Sequence, residues 1–446
     1  MSGPAKRQET AEKVRLRRLA AGDWREEEIL RTLRRPLDLA APELSAVAEI
    51  VAAVAKEGDA ALLRYTARFD GVELTPDRLR VAPEEFAVAR AEVPGEFVSA
   101  VRQARDRIEA YHRHQVRQSW SFDPGDGSRL GQQVTPLSRV GIYVPGGTAP
   151  LASSVLMNAV PAKVAGVESV ALATPPDREG RINPHLLVAA EEAGVKEVYR
   201  IGGAQAIAAL AFGTVTIPRV DKIAGPGNIY VTLAKKLVYG QVGIDMLAGP
   251  SEVAVVADET AEPRLVAADL LSQAEHDVRA VPVLFTPSAA LVERVEAELT
   301  AQLAELPRAE TAARALATQG TAVVTPDLET AVRLADAFAP EHLELLVSEP
   351  DYWLPRIRHA GTVFLGAYAP EPVGDYVAGS NHILPTGGTA RFASGLSVDD
   401  FVRKTSFVAL TPEGLARLAP AIEVLAGVEG LAAHARAVRI RLERGK

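Results

Sequence analysis

The stretch Ser272-Gln273-Ala274-Glu275-His276-Asp277 offers two metal-capable side chains at a spacing that a helix brings into line. It closes an apolar-periodic run (Leu265, Ala268, Leu270, Leu271), so Gln273 and His276, three residues apart, leave one helical face together. A carboxamide oxygen is a hard neutral donor and an imidazole nitrogen a borderline one. That mixture suits zinc, manganese or another first-row divalent ion completed by further oxygen and nitrogen groups. The same pair would equally serve a plain helix end, where Gln and His meet orphan carbonyls or solvent.

A second pair of reactive groups lies in Ala339-Pro340-Glu341-His342-Leu343-Glu344. Proline suits the first helical position, which predicts a short turn with Glu341 and His342 at a helix N-terminus or loop rim. An acid beside an imidazole supplies two proton acceptors of different basicity, as general acid/base chemistry near neutral pH requires. The densest polar cluster runs from Glu371 to His382, where Asp375 is placed to complete a metal site and His382 to touch a substrate carboxylate or carbonyl. Glu429 and His434 stand on an Ala-, Val-, Leu- and Arg-rich helical stretch, 427–442, where a lone His is ordinarily structural or exposed. His112 and His114, two apart in an Arg-flanked segment, read as surface residues.

Composition limits what these groups can serve. The chain has 446 residues, 48% of them hydrophobic, which exceeds one ordinary core. A net charge of -8 is spread along the sequence, and with aromatics at 5% and no basic patch this argues against nucleic acid as a partner. The absence of cysteine excludes disulfides, thiolate metal sites and cysteine nucleophiles, so any metal must use His, carboxylates or amides. No run of about 18 apolar residues occurs and the first residues lack an apolar segment, from which we expect a soluble, cytoplasmic protein with no membrane contact.

The elements that must position these groups follow from periodicity. Residues 11–35, rich in Arg, Glu and Leu, suggest an exposed helix or arm, and 44–70 and 83–115 read as long amphipathic helices. From Arg139 the pattern alternates. The apolar strand Val140-Gly141-Ile142-Tyr143-Val144 runs into Pro145-Gly146-Gly147-Thr148-Ala149-Pro150 and a helix, and further strand-glycine-helix units follow at Gly202-Gly203 and Gly225-Pro226-Gly227-Asn228. Such alternation predicts a parallel sheet covered on both faces, with ligands at the carboxyl ends of its strands. None of these turns is the Gly-x-Gly-x-x-Gly fingerprint or a phosphate loop, so a dinucleotide would be held in an atypical way or the glycines serve only tight turns. A second series, from 244 to 338, carries Gln273 and His276.

Taken in order, Gly141-Ile142-Tyr143-Val144-Pro145-Gly146-Gly147, Gly202-Gly203-Ala204-Gln205-Ala206-Ile207, Asp221-Lys222-Ile223-Ala224-Gly225-Pro226-Gly227-Asn228, Ala248-Gly249-Pro250-Ser251-Glu252, Gln273-Ala274-Glu275-His276, Ala339-Pro340-Glu341-His342-Leu343-Glu344 and the segments Gly374-Asp375-Tyr376 and Asn381-His382 closely resemble the L-histidinol dehydrogenase family, from about Leu44 to the C-terminus. The resemblance implies an NAD-dependent oxidoreductase acting on a CH-OH group, which takes L-histidinol through L-histidinal to L-histidine at the end of histidine biosynthesis. It implies one zinc per subunit held by Gln273, His276, Asp375 and His434, the last from the other chain of a domain-swapped homodimer with a shared active site. It implies Glu341 and His342 as the catalytic proton-transfer pair. Substrate contacts would be Ser251, Gln273, His276, His342, Asp375, His382, Glu429 and His434, and cofactor contacts Tyr143, Gln205 and Asn228. The competing readings are a zinc-dependent amidohydrolase, with metal-bound water as nucleophile and no nucleotide pocket, and a metal-stabilised scaffold without activity.

The expected architecture is therefore α/β, with two tandem, incomplete Rossmann-like parallel-sheet domains and small helical segments at both ends. The expected division is 1–42 as an N-terminal helical arm, 43–138 with 245–372 as a first α/β domain carrying the metal and catalytic residues, 139–244 as a second α/β domain contacting NAD, and 373–446 as a C-terminal region with an active-site loop and an exchanged helix.

Overall fold

The computed structural model describes residues 13–22, 25–34, 42–146 and 150–443; half of the expected N-terminal arm and the turn residues Gly147, Thr148 and Ala149 lie outside that range. In chain order its first strands are β1 (Arg17–Ala20), β2 (Trp120–Phe122), β3 (Arg129–Pro136), β4 (Arg139–Tyr143), β5 (Ser169–Thr174), β6 (Glu197–Arg200), β7 (Lys222–Ala224) and β8 (Gly243–Ile244). They are followed by β9 (Glu252–Ala257), β10 (Val281–Thr286), β11 (Thr321–Val324), β12 (His342–Leu346), β13 (Thr362–Leu365) and β14 (Val402–Ala409). One parallel sheet has the order β6-β5-β4-β7-β8 and a second β1-β11-β10-β9-β12-β13, while β14-β3-β2 forms a small antiparallel sheet.

Both parallel sheets are buried on two faces, and the strand sequences show why. In β5, Val170 and Leu172 enter one core while Ala171 and Ala173 enter the other. In β9, Val253, Val255 and Ala257 point one way and Ala254 and Val256 the opposite way. A strand with apolar residues at every position is stable only where helices cover both sides, which is the parallel-sheet arrangement expected from the alternating pattern. Each sheet also reverses its strand order once. The chain fills β4, β5 and β6 in one direction, then β7 and β8 on the other side of β4; likewise β9, β10 and β11, then β12 and β13 beyond β9. The crevices at β4/β7 and β9/β12 are therefore topological switch points.

Segment 245–251 carries the chain from the carboxyl end of β8 to the amino end of β9 with no helix between. It turns the carboxyl edge of the five-stranded sheet toward the amino edge of the six-stranded one. Contacts across this junction include the Asn381 amide donating to the Met157 carbonyl at 2.7 Å and the Gly249 N–H donating to the Thr386 hydroxyl.

Three expectations need correction. Part of the supposed exposed N-terminal arm is the edge strand β1. Leu19 within it and Leu16 just before it are buried, and the largely buried Glu296 carboxylate receives the Leu16 N–H and pairs with Arg15 and Arg18, which is how so charged a segment is held on a sheet. The helices of 43–113 do not bury their faces beside 245–372: Val47, Ile50, Val54 and Leu62 enter one core of the five-stranded sheet, and Phe86, Val101 and Ile108 the other. His112 is fully buried rather than exposed, its Nδ1 2.7 Å from the Ile108 carbonyl and its Nε2 3.4 Å from the Asn381 amide.

The turn after β7 is held by a buried ion pair. Lys235 and Asp245, both nearly inaccessible, pair with each other. Lys235 Nζ donates to the Gly225 carbonyl at 2.9 Å, and Asp245 Oδ2 accepts the Gly225 N–H at 2.8 Å. Gly225 has φ 117, and a Cβ there would collide with the Tyr143 carbonyl. Removing one partner leaves an uncompensated buried charge. Asp245→Asn should therefore lower unfolding free energy by about 3–5 kcal/mol; an unchanged denaturant midpoint would show the pair to be dispensable.

Candidate active site

The proton-transfer candidates sit where β9 and β12 begin. The preceding helix ends at Phe338, and Ala339, left-handed at φ 57, turns the chain so that Pro340-Glu341 leads into strand rather than into the expected helical turn. Proline here follows a helix and its neighbours extend, so the local helix-start signal is overridden by pairing of β12 with β9 and β13. Parallel register sets His342 opposite Val253. The Glu252 peptide then holds both groups: its N–H donates to Glu341 Oε2 at 2.9 Å, and its carbonyl lies 3.1 Å from His342 Nδ1. Gln273 Oε1 is a second acceptor 3.1 Å from the same nitrogen. Facing two acceptors, Nδ1 carries the proton, which leaves the Nε2 lone pair open; it is buried without a partner and 3.9 Å from Asp375 Oδ1. Burial pushes the His342 imidazole down to about 3 and the Glu341 carboxyl well above the usual carboxylate range.

The metal candidates meet beside this pair. The helix Pro263–Ala274 follows β9 and runs back, so its C-terminal end delivers Gln273 and His276 to the amino edge of the sheet. The short helix Glu371–Tyr376 brings Glu371 and Asp375 to the same place, fitted against Phe364 of β13 through the missing side chain of Gly374. One donor atom each of His276, Glu371 and Asp375 lies within 4.8 Å of the other two. Glu371 Oε1 and Gln273 Nε2 are buried without partners. Burial together with the neighbouring Asp375 charge pushes Glu371 up to about 8, and burial pushes Asp375 up to about 6. Two desolvated carboxyls and an imidazole converging with no cation among them form an oxygen-nitrogen donor set that fits a divalent ion such as zinc.

His382 closes the junction between the sheets. Its Nδ1 donates to the Asp375 carbonyl at 2.9 Å, and its Nε2 accepts from the Ser154 hydroxyl at 3.1 Å, on the helix that follows β4. Burial pushes it down to about 4. Ser251 stands at the entrance to β9, next to the peptide that holds Glu341 and His342.

Tyr143, Gln205 and Asn228 all lie at the carboxyl edge of the five-stranded sheet. Tyr143 ends β4, and its hydroxyl accepts the Gly203 N–H at 3.1 Å. Gln205 is buried in the first turn of the helix Gly203–Phe212, its carboxamide folded over Gly203, which has φ 62 and no Cβ to obstruct it. Asn228 caps the next helix by accepting the Tyr230 and Val231 N–H groups, directly across the β4/β7 switch point from Tyr143.

Not every candidate is brought together. Glu429 and His434 are exposed on the C-terminal helical hairpin, and among the described residues neither side chain bonds to the groups above. Conversely, sequence reading did not single out Glu371 as a ligand. Its one local signal was a carboxylate four residues before Asp375, the spacing that sets two side chains on one helical face. The site also occupies the amino edge of β9 and β12, whereas the alternating pattern pointed only to carboxyl edges.

A family profile described as Histidinol dehydrogenase matches residues 34–442. The chain is 59% identical over 397 residues to a histidinol dehydrogenase of Moorella thermoacetica, covering 89% of this chain and 94% of that one. It is 53% identical over 416 residues to one of Geobacillus kaustophilus, covering 93% and 98%. The crystal structure of histidinol dehydrogenase from Elizabethkingia anophelis superposes with a TM-score of 0.92 at 39% identity, covering 97% of this chain and 99% of that one.

The carboxyl pair makes metal binding and stability depend on pH. Glu371 and Asp375 have folded values above the ordinary carboxyl range, so in metal-free protein their contribution to stability is present below about pH 4 and is lost as pH rises toward about 8. A divalent ion needs both carboxylates ionised, so its affinity should rise over the same interval with release of protons. Titrating chelated protein with zinc at pH 6 and pH 8 should show tighter binding at pH 8 and a larger thermal shift. Equal affinity at both would remove these carboxyls from the site.

Proposed function

The chain belongs to the histidinol dehydrogenase family, and from that premise we propose that it oxidises L-histidinol through L-histidinal to L-histidine in two NAD-linked steps at the junction of the two sheets. The observation that carries this reading is the His342 imidazole, held by the Glu252 carbonyl with Nε2 open toward the cluster of His276, Glu371 and Asp375. An amidohydrolase would have no use for the second face of the site, where Tyr143 and Asn228 flank a switch-point crevice.

The residues that would hold zinc are Gln273, His276 and Asp375, with His434 of the partner subunit, and Glu371 stands beside them. Bound there, zinc would supply a positive anchor for the amine and imidazole nitrogens of histidinol, which are not the reacting atoms. Tyr143, Gln205 and Asn228, at the carboxyl edge of the five-stranded sheet, would hold NAD, which would supply the hydride acceptor.

His342 Nε2 takes the hydroxyl proton as hydride leaves the carbinol carbon. Its Nδ1–H bond to the Glu252 carbonyl stabilises the imidazolium so formed. Glu341, 3.8 Å from His342, takes a proton from the water that adds to the aldehyde while the His342 imidazolium returns its proton to the aldehyde oxygen; the resulting hydrate loses the second hydride as Nε2 takes a hydroxyl proton again. A carboxyl raised by burial is a stronger base than an ordinary one when ionised. His382, tied to both Asp375 and Ser154, fixes the substrate-binding loop against the cofactor half, with Ser251 and the partner's Glu429 as further substrate contacts.

Wild-type enzyme should form two NADH per histidinol consumed. Glu341→Gln should slow aldehyde oxidation about 10²- to 10⁴-fold while sparing alcohol oxidation, and His342→Asn should impair both steps. Equal loss in the two half-reactions of Glu341→Gln would end the division of labour, and histidinol-independent hydrolase activity without NAD reduction would favour the amidohydrolase.

Two copies are needed to complete such a site. Leu418, Val424, Leu425, Val428, Leu431 and Ile440 are all exposed on the C-terminal hairpin, as are Trp120 and Phe122 on the small sheet. An apolar hairpin that buries little against its own chain gains stability by lying on another, which supports a homodimer with exchanged C-terminal helices. Co-refolding inactive His276→Ala with inactive His434→Ala chains should restore about one intact site per heterodimer. Demonstrated heterodimers without activity would rule the shared site out.

A further inference from the structure

One carboxylate beside the cofactor crevice has no structural partner. Asp70 is the last residue of the helix Asp59–Asp70, the end where the helix dipole disfavours a negative charge. Its Oδ2 is sealed from solvent without a hydrogen-bond partner. No cation among the described residues offsets the charge, and burial alone pushes the carboxyl up to about 6. Half-burying a carboxylate with one oxygen sealed off is costly, and among the described residues it makes no hydrogen bond.

Its position explains what the cost can serve. Asp70 Oδ1 lies 3.3 Å from where a Cβ at Gly202 would stand, and Gly202 is the turn between β6 and the helix Gly203–Phe212. Pro175, at the carboxyl end of β5, crowds the same spot. The Tyr143 phenol, pushed up to about 12 by burial and further raised by the Asp70 charge, is its neighbour. The carboxylate thus overlooks the carboxyl ends of β4, β5 and β6 beside a helix N-terminus that has no capping side chain.

We propose that Asp70 accepts hydrogen bonds from the hydroxyls of the adenosine ribose of the dinucleotide and so selects the coenzyme that lacks a 2′-phosphate. This rests on the cofactor reading above. A carboxylate suits a vicinal diol because two acceptor oxygens meet two donors, and it repels a phosphate ester at the same place. The ribose concerned is the one remote from the chemistry. The reacting end must lie near His342 and the His382–Ser154 contact, and Ser154 belongs to a helix on the opposite face of the sheet from Asp70.

In the full-length enzyme, Asp70→Asn and Asp70→Ala should raise KM for NAD about 10- to 100-fold, as expected for loss of bonds to a charged acceptor, with kcat within about twofold. KM for NADP should stay level or fall, so that the preference for NAD narrows by about tenfold or more. The thermal midpoint should hold or rise, since an unanswered buried charge is removed. Unchanged KM for both coenzymes, or a lowered midpoint with parallel losses for both, would overturn the inference. Calorimetric titration with ADP-ribose separates the two levels. No binding to wild-type protein would defeat the cofactor reading itself, whereas equal binding to wild type and Asp70→Asn would defeat only the ribose assignment.

Discussion

The peptide of Glu252 is the fixed point of this molecule. One N–H and one carbonyl, at the first residue of β9, hold Glu341 and His342 in place and set the tautomer of the imidazole. That works only because β9 and β12 are parallel neighbours in one register; a slip of one residue would turn His342 to the opposite face of the sheet. The register is secured by the apolar residues of the same strands, Val253, Val255, Leu343 and Leu345, all fully buried. Packing a few ångströms away therefore sets the geometry of the polar groups, and the most ordinary part of the sequence carries the most exacting task.

Around that point the protein collects groups that are costly to bury. Glu341, His342, Gln273, Glu344 and Glu371 are all nearly inaccessible, and several of their polar atoms have no protein partner. Glu344 lies one layer further in: it accepts the Glu371 N–H at 2.7 Å, and burial with the adjacent Asp269 raises it well above the usual range. Such a concentration is tolerated because the surrounding cores are large and apolar, and it is the pattern expected where binding and proton transfer are paid for by stability elsewhere.

Much of this was legible in the sequence, for reasons that differ by residue. Strands such as β5 and β9 are apolar at every interior position, which points to burial on two faces, so the paired parallel sheets could be read directly. Gln273 and His276 share a helical face by their spacing alone. Leu16 and Leu19 were not legible as a strand, because their neighbours are arginines and the carboxylate that answers them, Glu296, is some 280 positions away. His112 looked exposed for the same reason: its partner Asn381 comes from a distant loop. Glu341 and His342 read locally as a helix N-terminus or loop rim because proline favours a helix start, and only the pairing with β9 decides otherwise. Local propensity loses wherever the deciding contact is far along the chain.

The joint at 245–251 deserves to be thought of as a spacer gauge. Since it passes from one sheet's carboxyl edge straight to the other's amino edge, its length sets how far Tyr143 and Asn228 stand from His342, with no helix to absorb an error. One extra residue in extended chain would displace one edge by roughly 3.3 Å. That is about the whole separation at which reacting atoms must be held, roughly 3–3.5 Å. The number of residues in this segment is thus bound as tightly as the identity of any reactive side chain, although most of its own side chains take no part in the chemistry. Outside Asp245 and Ser251, substitutions there have more room to vary than insertions.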